Sequence, residues 1–185
     1  MTSEAWDARY RQGDHAHDPP LAFIANLLPP GEGRRALDLA CGAGRHAVLM
    51  AERDWRVTAV DWSEAALELM RSRDSRIEII RADLEASAFL IQPNHWDLIC
   101  ISFYMQRDLF AAIGQGLRPD GVIAAAFPMV DQRDGVKPMR REFLLAPGEL
   151  RGSFEDFAIV HYEETMPTPP KRRTAELWAC RQNHR

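Results

Sequence analysis

ALDLACGAGRHAVLMAERDWRVTAVD, residues 36–61, is the stretch that decides the fold. A short apolar run at 36–40 carries an acid, Asp38, and breaks into Gly42-Ala43-Gly44. Residues 45–53 follow with Ala47, Val48, Met50 and Ala51 at helical spacing, and a second apolar run, 56–61, ends on Asp61. Strand, glycine turn, helix and strand in this order predict a parallel βαβ unit. Its first turn is where a doubly wound sheet receives a ligand.

The pattern continues outward. Ser63 has the chemistry of an N-cap for a helix carrying Ala66, Leu67, Leu69 and Met70. Further strands are predicted at 76–81, 96–103 and 122–127, with a helix over 107–117 stopped by Pro119 and an Asp120-Gly121 turn. Runs apolar on both faces, separated by amphipathic helices, imply parallel strands covered on both sides. Beyond residue 127 the chain is irregular to 145 and a short helix is predicted at 147–154. Strands at 158–164 and 175–181 then form an antiparallel hairpin around a Pro-rich loop. The expected fold class is α/β: a Rossmann-like, doubly wound, mostly parallel sheet with an antiparallel C-terminal edge hairpin. The expected organisation is one domain, with an N-terminal helical cap at 1–30, a ligand-binding core at 35–128 and an acceptor-side segment at 129–185.

Composition fits that reading. The 185 residues are 46% apolar and 27% charged, with a net charge of −4, which argues against a polyanion partner. The one basic run, Lys171-Arg172-Arg173, lies in the Pro-rich turn and reads as a solvated hairpin loop. No apolar stretch reaches the ~20 residues that a membrane-crossing helix needs, and the polar N-terminus lacks a signal-peptide core. Cys41, Cys100 and Cys180 are odd in number and widely spaced. They read as reduced thiols without zinc-ligand spacing, so no metal is expected and the cytoplasm is the expected compartment.

Gly42 and Gly44 permit a sharp turn and close approach of a ligand to the backbone, and the helix start behind them suits an anionic group. Asp61 stands at the spacing of an acid that accepts from ribose hydroxyls, and Ala47 fills the third position of a G-x-G-x-x-G/A pattern, so a dinucleotide site stays open on these facts. Asp38 argues against it. An acid beside the crevice would repel a pyrophosphate, whereas it suits a ligand that carries an ammonium and a sulfonium. S-adenosylmethionine is such a ligand; the bland alternative is that Asp38 only caps the turn.

With those residues in place, the segment LDLACGAGRHAVLMAERDWRVTAVDWS resembles the cofactor-binding half of a class I S-adenosylmethionine-dependent methyltransferase. The resemblance extends through Arg81-Ala82-Asp83-Leu84, Trp96-Asp97-Leu98-Ile99 and Leu117-Arg118-Pro119-Asp120-Gly121. Trp6-x-x-x-Tyr10, 143–150 and His161-Tyr162-Glu163-Glu164 are similar to the small tellurite-resistance and thiopurine-type members. The resemblance implies that Asp38 helps hold the methionine amine and that Cys41, Gly42 and Gly44 form the turn under the methionine part. It implies that Asp61 binds the ribose hydroxyls with Trp62 beside the adenine, that Asp83 and the Leu84 N–H meet the adenine, and that Ile101 and Ser102 line the methionine side. Asp83 also reads as a helix N-cap, and Cys41 as a small turn residue rather than a nucleophile. The chain departs from the pattern in having Asp120-Gly121 for Gly-Gly, and it has no Asp/Asn-Pro-Pro-aromatic signature after the fourth strand. Asp18-Pro19-Pro20 lies in the wrong place to supply one.

The implied reaction is methyl transfer to a small-molecule acceptor, a thiol, chalcogen oxyanion or similar group. An NAD-linked oxidoreductase and a non-catalytic S-adenosylmethionine-binding regulator remain as alternatives. The chemistry needs no protein nucleophile, and it needs a base only if the acceptor must lose a proton. Candidate acceptor-side residues are Tyr10, His15, His17, Tyr104, Arg107 and Arg140. The two histidines are candidate bases or merely solvated. Arg107 either steers an anionic acceptor or starts a helix. Trp6 and Tyr10 share a helix face that caps the cofactor or packs on the body. Neither the acceptor's identity nor the oligomeric state follows from the chain.

Overall fold

The computed structural model describes residues 2–183. Helix α1 (Ser3–Arg11) and helix α2 (Ala22–Leu27) precede β1 (Arg35–Leu39), α3 (Arg45–Glu52), β2 (Arg56–Asp61), α4 (Glu64–Arg71), β3 (Glu78–Arg81) and β4 (Trp96–Ser102). Then come α5 (Leu109–Gly116), β5 (Leu117–Pro128), α6 (Glu149–Gly152), β6 (Phe157–Glu164) and β7 (Thr174–Arg181). The seven strands lie in the order β3-β2-β1-β4-β5-β7-β6. Pairings among β1–β5 are parallel, and β7 runs antiparallel to both neighbours. Chain order reverses between β1 and β4, which opens a crevice at the carboxyl ends of these strands.

Alternation along the strands divides the core into two faces. Leu37, Leu39, Ile99, Ile101, Ile123 and Phe127 meet Phe110 and Ile113 of α5 on one face. Ala36, Ala59, Cys100 and Ala126 meet Phe23 and Ile24 of α2, Met50 of α3 and Met70 of α4 on the other. Asp38 alternates with Ala36 and therefore belongs to this second, helix-covered face. Ser63 caps α4 as its chemistry predicts, accepting the Ala66 N–H at 3.2 Å. α1 lies across the start of α4, where Asp7 accepts from the Ser63 hydroxyl at 2.6 Å and the Ala65 N–H at 3.1 Å.

The antiparallel hairpin forms the sheet edge as expected, with β7 internal and β6 outermost: β7 buries Ala175, Leu177, Trp178 and Ala179, while β6 alternates half-buried and exposed positions. Three other expectations are corrected. Strand β5 starts at Leu117 and carries the Asp120-Gly121 turn within it as a bulge. Its partner β4 steps from Trp96 to Leu98 while β5 steps from Leu117 to Val122. Asp120 has φ 64°, and a Cβ on Gly121 would lie 3.0 Å from the Trp96 carbonyl oxygen, so the bulge takes a residue with no side chain. The helix after residue 147 is only the single turn α6. The basic run is also tied down rather than simply solvated. Arg172 donates to the carbonyls of Met129 and Lys137, and Arg173 reaches Glu164 at 3.5 Å.

Candidate functional site

The glycine turn after β1 and the acid ending β2 meet directly. Asp61 Oδ2 accepts the Gly42 N–H and Oδ1 accepts the Ser63 N–H, each at 2.8 Å. These bonds fix the carboxylate's rotamer and leave further lone pairs on both oxygens. Burial raises its pKa above the ordinary carboxylate value, opposed by those N–H groups. Gly42 and Gly44 have φ 55° and 80°. A Cβ on Gly42 would run into the Tyr10 hydroxyl of α1, and one on Gly44 into the Met70 side chain. Thus α1 closes over the turn, and Tyr10 and Trp6 stand together with ring centroids 6.2 Å apart. Burial first, and the charge of Asp61 second, raise the Tyr10 phenol above its usual range.

Asp38 is 1% exposed and its Oδ2 has no hydrogen-bond partner among the described residues. Burial pushes its pKa up to about 7; Arg45, the Cys100 thiol and the Ala47 N–H act in the opposite direction. It does not stand open in the crevice. Donor atoms of Asp38, His46 and Cys100 lie within 4.8 Å of one another beneath α3. Cys41 is buried with its thiol pushed up by desolvation, which fits a turn residue and not a nucleophile.

The adenine-side residues follow β3. Asp83 Oδ1 accepts the Glu85 N–H at 2.9 Å, so it closes a turn as the capping alternative has it, with Oδ2 left over. Leu84 is buried, and its carbonyl accepts from Gln106 at 3.4 Å. The Trp62 carbonyl accepts from Arg81 at 3.4 Å. Ile101 is fully buried at the end of β4, with Ser102 half-buried beyond it.

Among the acceptor-side candidates, His15 is exposed, with Nδ1 2.8 Å from Asp18 and Nε2 3.0 Å from Arg9. His17 is exposed beside Arg73 at 3.3 Å. Tyr104 donates to Gln106 Oε1 at 2.8 Å. Arg140 is exposed and paired with Glu142. Arg107 is a correction: all three of its nitrogens are engaged, with Glu149 at 2.6 Å and with the carbonyls of Glu142 at 2.7 Å and Leu144 at 2.9 Å. It neither steers an anion nor lies within α5; it clamps the 129–145 segment to the body. Because the side chain is partly exposed, Arg107→Ala is expected to lower stability by only about 1–2 kcal/mol in urea unfolding. Proteolysis between residues 129 and 145 should speed up in the same variant.

Two residues escaped the sequence reading. His46 is 2% exposed; its Nε2 accepts the Leu21 N–H at 3.2 Å, and burial pulls its pKa down to about 3. Arg45 donates to Ser102 Oγ at 3.2 Å and stands 5.1 Å from the Phe103 ring centroid. The available signal was their position directly after Gly44, where the first helical turn faces the crevice. Phe103 itself has φ 59° and is 47% exposed, a strained conformation for a bulky residue at the end of β4.

The sheet order, the glycine turn and the acid held against it have the arrangement of the class I S-adenosylmethionine-dependent methyltransferase fold. The comparisons agree: residues 36–121 match the family described as "Methyltransferase domain". That stretch carries a methyltransferase domain, and the fold and the relatives support S-adenosylmethionine as the cofactor. It is 29% identical over 161 residues to a trans-aconitate 2-methyltransferase of Paracidovorax citrulli, covering 83% of this chain and 60% of that protein. It is 42% identical over 59 residues to a ubiquinone biosynthesis O-methyltransferase of Alkalilimnicola ehrlichii, covering 32% of this chain and 24% of the relative. The chain therefore spans less than two thirds of the length of these relatives. Its fold is similar to that of TehB from Haemophilus influenzae, with TM-score 0.76 and 18% identity over 95% of this chain and 67% of that one. No helix among the described residues is long and apolar enough to cross a membrane.

Proposed function

We propose that this protein transfers the methyl group of S-adenosylmethionine to a small-molecule acceptor, with residues 1–30 capping the crevice. The observation that carries the reading is Asp61, fixed at the end of β2 by the backbone N–H groups of Gly42 in the glycine turn and of Ser63. When bound, the cofactor supplies an activated methyl on a cationic sulfur. Asp61 would hold the ribose hydroxyls with its remaining lone pairs. Asp38 would supply negative charge beneath the methionine amine. Asp83 Oδ2 and the Leu84 N–H would meet the adenine, with Trp62 beside it. Ile101 and Ser102 would line the methionine side.

The rest of the work is alignment and exclusion of water. Positioning alone can lower a displacement barrier by ~7–11 kcal/mol. Tyr10 on α1 already lies over the turn and would shield the seated cofactor from water. His15 and His17 are exposed and stand beside arginines, so an acceptor that is already anionic fits better than one that must lose a proton. The relatives' names include carboxylic acid and quinone-pathway methylation, and both are methylations of small molecules. The chain's acidic balance supports neither a nucleic acid nor a membrane partner, and its free cysteines suit the cytoplasm.

The test is release of S-adenosylhomocysteine from S-adenosylmethionine in the presence of thiols, selenite, tellurite and trans-aconitate as separate acceptors. Turnover with one of them supports the reading. Tight S-adenosylmethionine binding without turnover on any small-molecule extract points to a non-catalytic binder, and binding of NADH alone would overturn the proposal.

A further inference from the structure

Arg45 and Ser102 sit at the carboxyl ends of β1 and β4, on the far side of β1 from Asp61. Two strand spacings, about 10 Å, separate the ends of β2 and β4, so this pair stands away from the ribose-side Asp61, toward the methionine side that Ser102 would line. The Arg45 side chain is 20% exposed, so its charge is largely withdrawn from water. One nitrogen donates to Ser102 Oγ. The nearest carboxylate, Asp18, is 4.0 Å from another, beyond hydrogen-bond distance, and is already engaged by His15 at 2.8 Å. A guanidinium has five N–H donors, and most of those on Arg45 have no partner among the described residues.

The hydrogen-bond inventory of Ser102 is equally lopsided. Nε2 of His46 accepts the Leu21 N–H, so in the neutral ring the proton is on Nδ1, 3.5 Å from Ser102 Oγ. Arg45 and His46 therefore both aim donors at this oxygen. Its two lone pairs are taken and its own proton is left to give away. Two donors, one a partly dehydrated cation, converge beside the exposed Phe103 ring, which lies under the guanidinium and offers an apolar wall. A small organic acid matches this set: the carboxylate takes the fork of Arg45 and the Ser102 hydroxyl, and the carbon skeleton lies on Phe103.

We propose that Arg45 and Ser102 grip a carboxylate, and that its owner is the methyl acceptor rather than the cofactor. The inference rests on the methyltransferase reading above and names its substrate class: a small acid whose carboxylate anchors it while a neighbouring atom reacts. Arg45→Met removes the charge, and Arg45→Lys retains it without the fork.

The experiment is calorimetric titration of the wild-type protein and both variants. S-adenosylmethionine and decarboxylated S-adenosylmethionine are titrated first; malonate and trans-aconitate are then titrated into the S-adenosylhomocysteine complex. The expected result is that one or both acids bind the wild-type complex, at least tenfold more weakly in Arg45→Met and intermediately in Arg45→Lys. Affinity for S-adenosylmethionine should change less than threefold. If Arg45→Met instead weakens S-adenosylmethionine tenfold and leaves the decarboxylated analogue unaffected, the grip holds the methionine carboxylate and the acceptor assignment is overturned. Wild-type binding of the cofactor with no acid binding overturns the inference alone. Absence of cofactor binding by the wild type defeats the underlying methyltransferase reading instead.

Discussion

Asp61→Ala is expected to weaken binding of S-adenosylmethionine and S-adenosylhomocysteine by about 100-fold or more. The carboxylate is held by the N–H groups of Gly42 and Ser63, so its free lone pairs are aimed before a ligand arrives and little ordering entropy is lost on binding. Hydrogen bonds to a charged group contribute about 1.5–3 kcal/mol each. Two ribose hydroxyls then account for roughly 3–6 kcal/mol, at about 1.4 kcal/mol per tenfold in affinity. Asp61→Asn retains one acceptor oxygen and should lie between. Isothermal calorimetry with S-adenosylhomocysteine reads the effect directly, and a loss below fivefold would mean that Asp61 serves only to brace the turn.

Asp38→Asn is expected to stabilise the protein at pH 8 while weakening its hold on the cofactor. Burial raises the folded-state pKa of Asp38 from 3.8 to about 7. Between those values the unfolded chain is ionised and the folded chain is protonated, so stability falls as pH rises through this window. Each unit is worth about 1.4 kcal/mol. Asparagine never ionises, so the variant should match the wild type near pH 4 and gain on it up to about pH 7. A stabilisation of about 1–3 kcal/mol at pH 8 allows for relaxation around the charge. An amide also gives up the negative partner for the methionine amine, and cofactor affinity at pH 8 should drop about tenfold. Melting curves at pH 5 and pH 8 decide the first part; a variant less stable than wild type at pH 8 would show that the buried carboxylate is better solvated than its surroundings indicate.

Much of the cofactor half was legible because its signals are local. A glycine turn between an apolar strand and a helix of matching period can be read within about ten residues, and Ser63 announces α4 by a bond three positions long. The C-terminal hairpin was legible in the same way, through two alternating runs and a Pro-rich loop. Its place at the sheet edge was legible too, but which of its strands pairs with β5 was not, because either can. Burial decided it: β7 buries apolar residues on both faces, whereas β6 has one half-buried face and leaves Ala158 and Val160 exposed on the other.

The acceptor side was less legible, since its signals are contacts between distant segments. Arg107 looked like a free cation near the crevice, and only the fold shows its guanidinium spent on residues 35 to 42 positions away. Arg45 looked like a helix start, and Ser102 lies 57 positions on. Asp7, which carries α1 onto α4, is 56 positions from Ser63.

By itself, then, the sequence determined the βαβ core, the glycine turn and the acids that make the class recognisable, because strand and helix periodicity and backbone freedom act over a few residues. Only the tertiary structure decided which charges are neutralised and which remain available, since a hydrogen bond forms between groups brought within about 3 Å whatever their separation along the chain. Arg107 is spent and Arg45 is left facing the crevice for that reason alone.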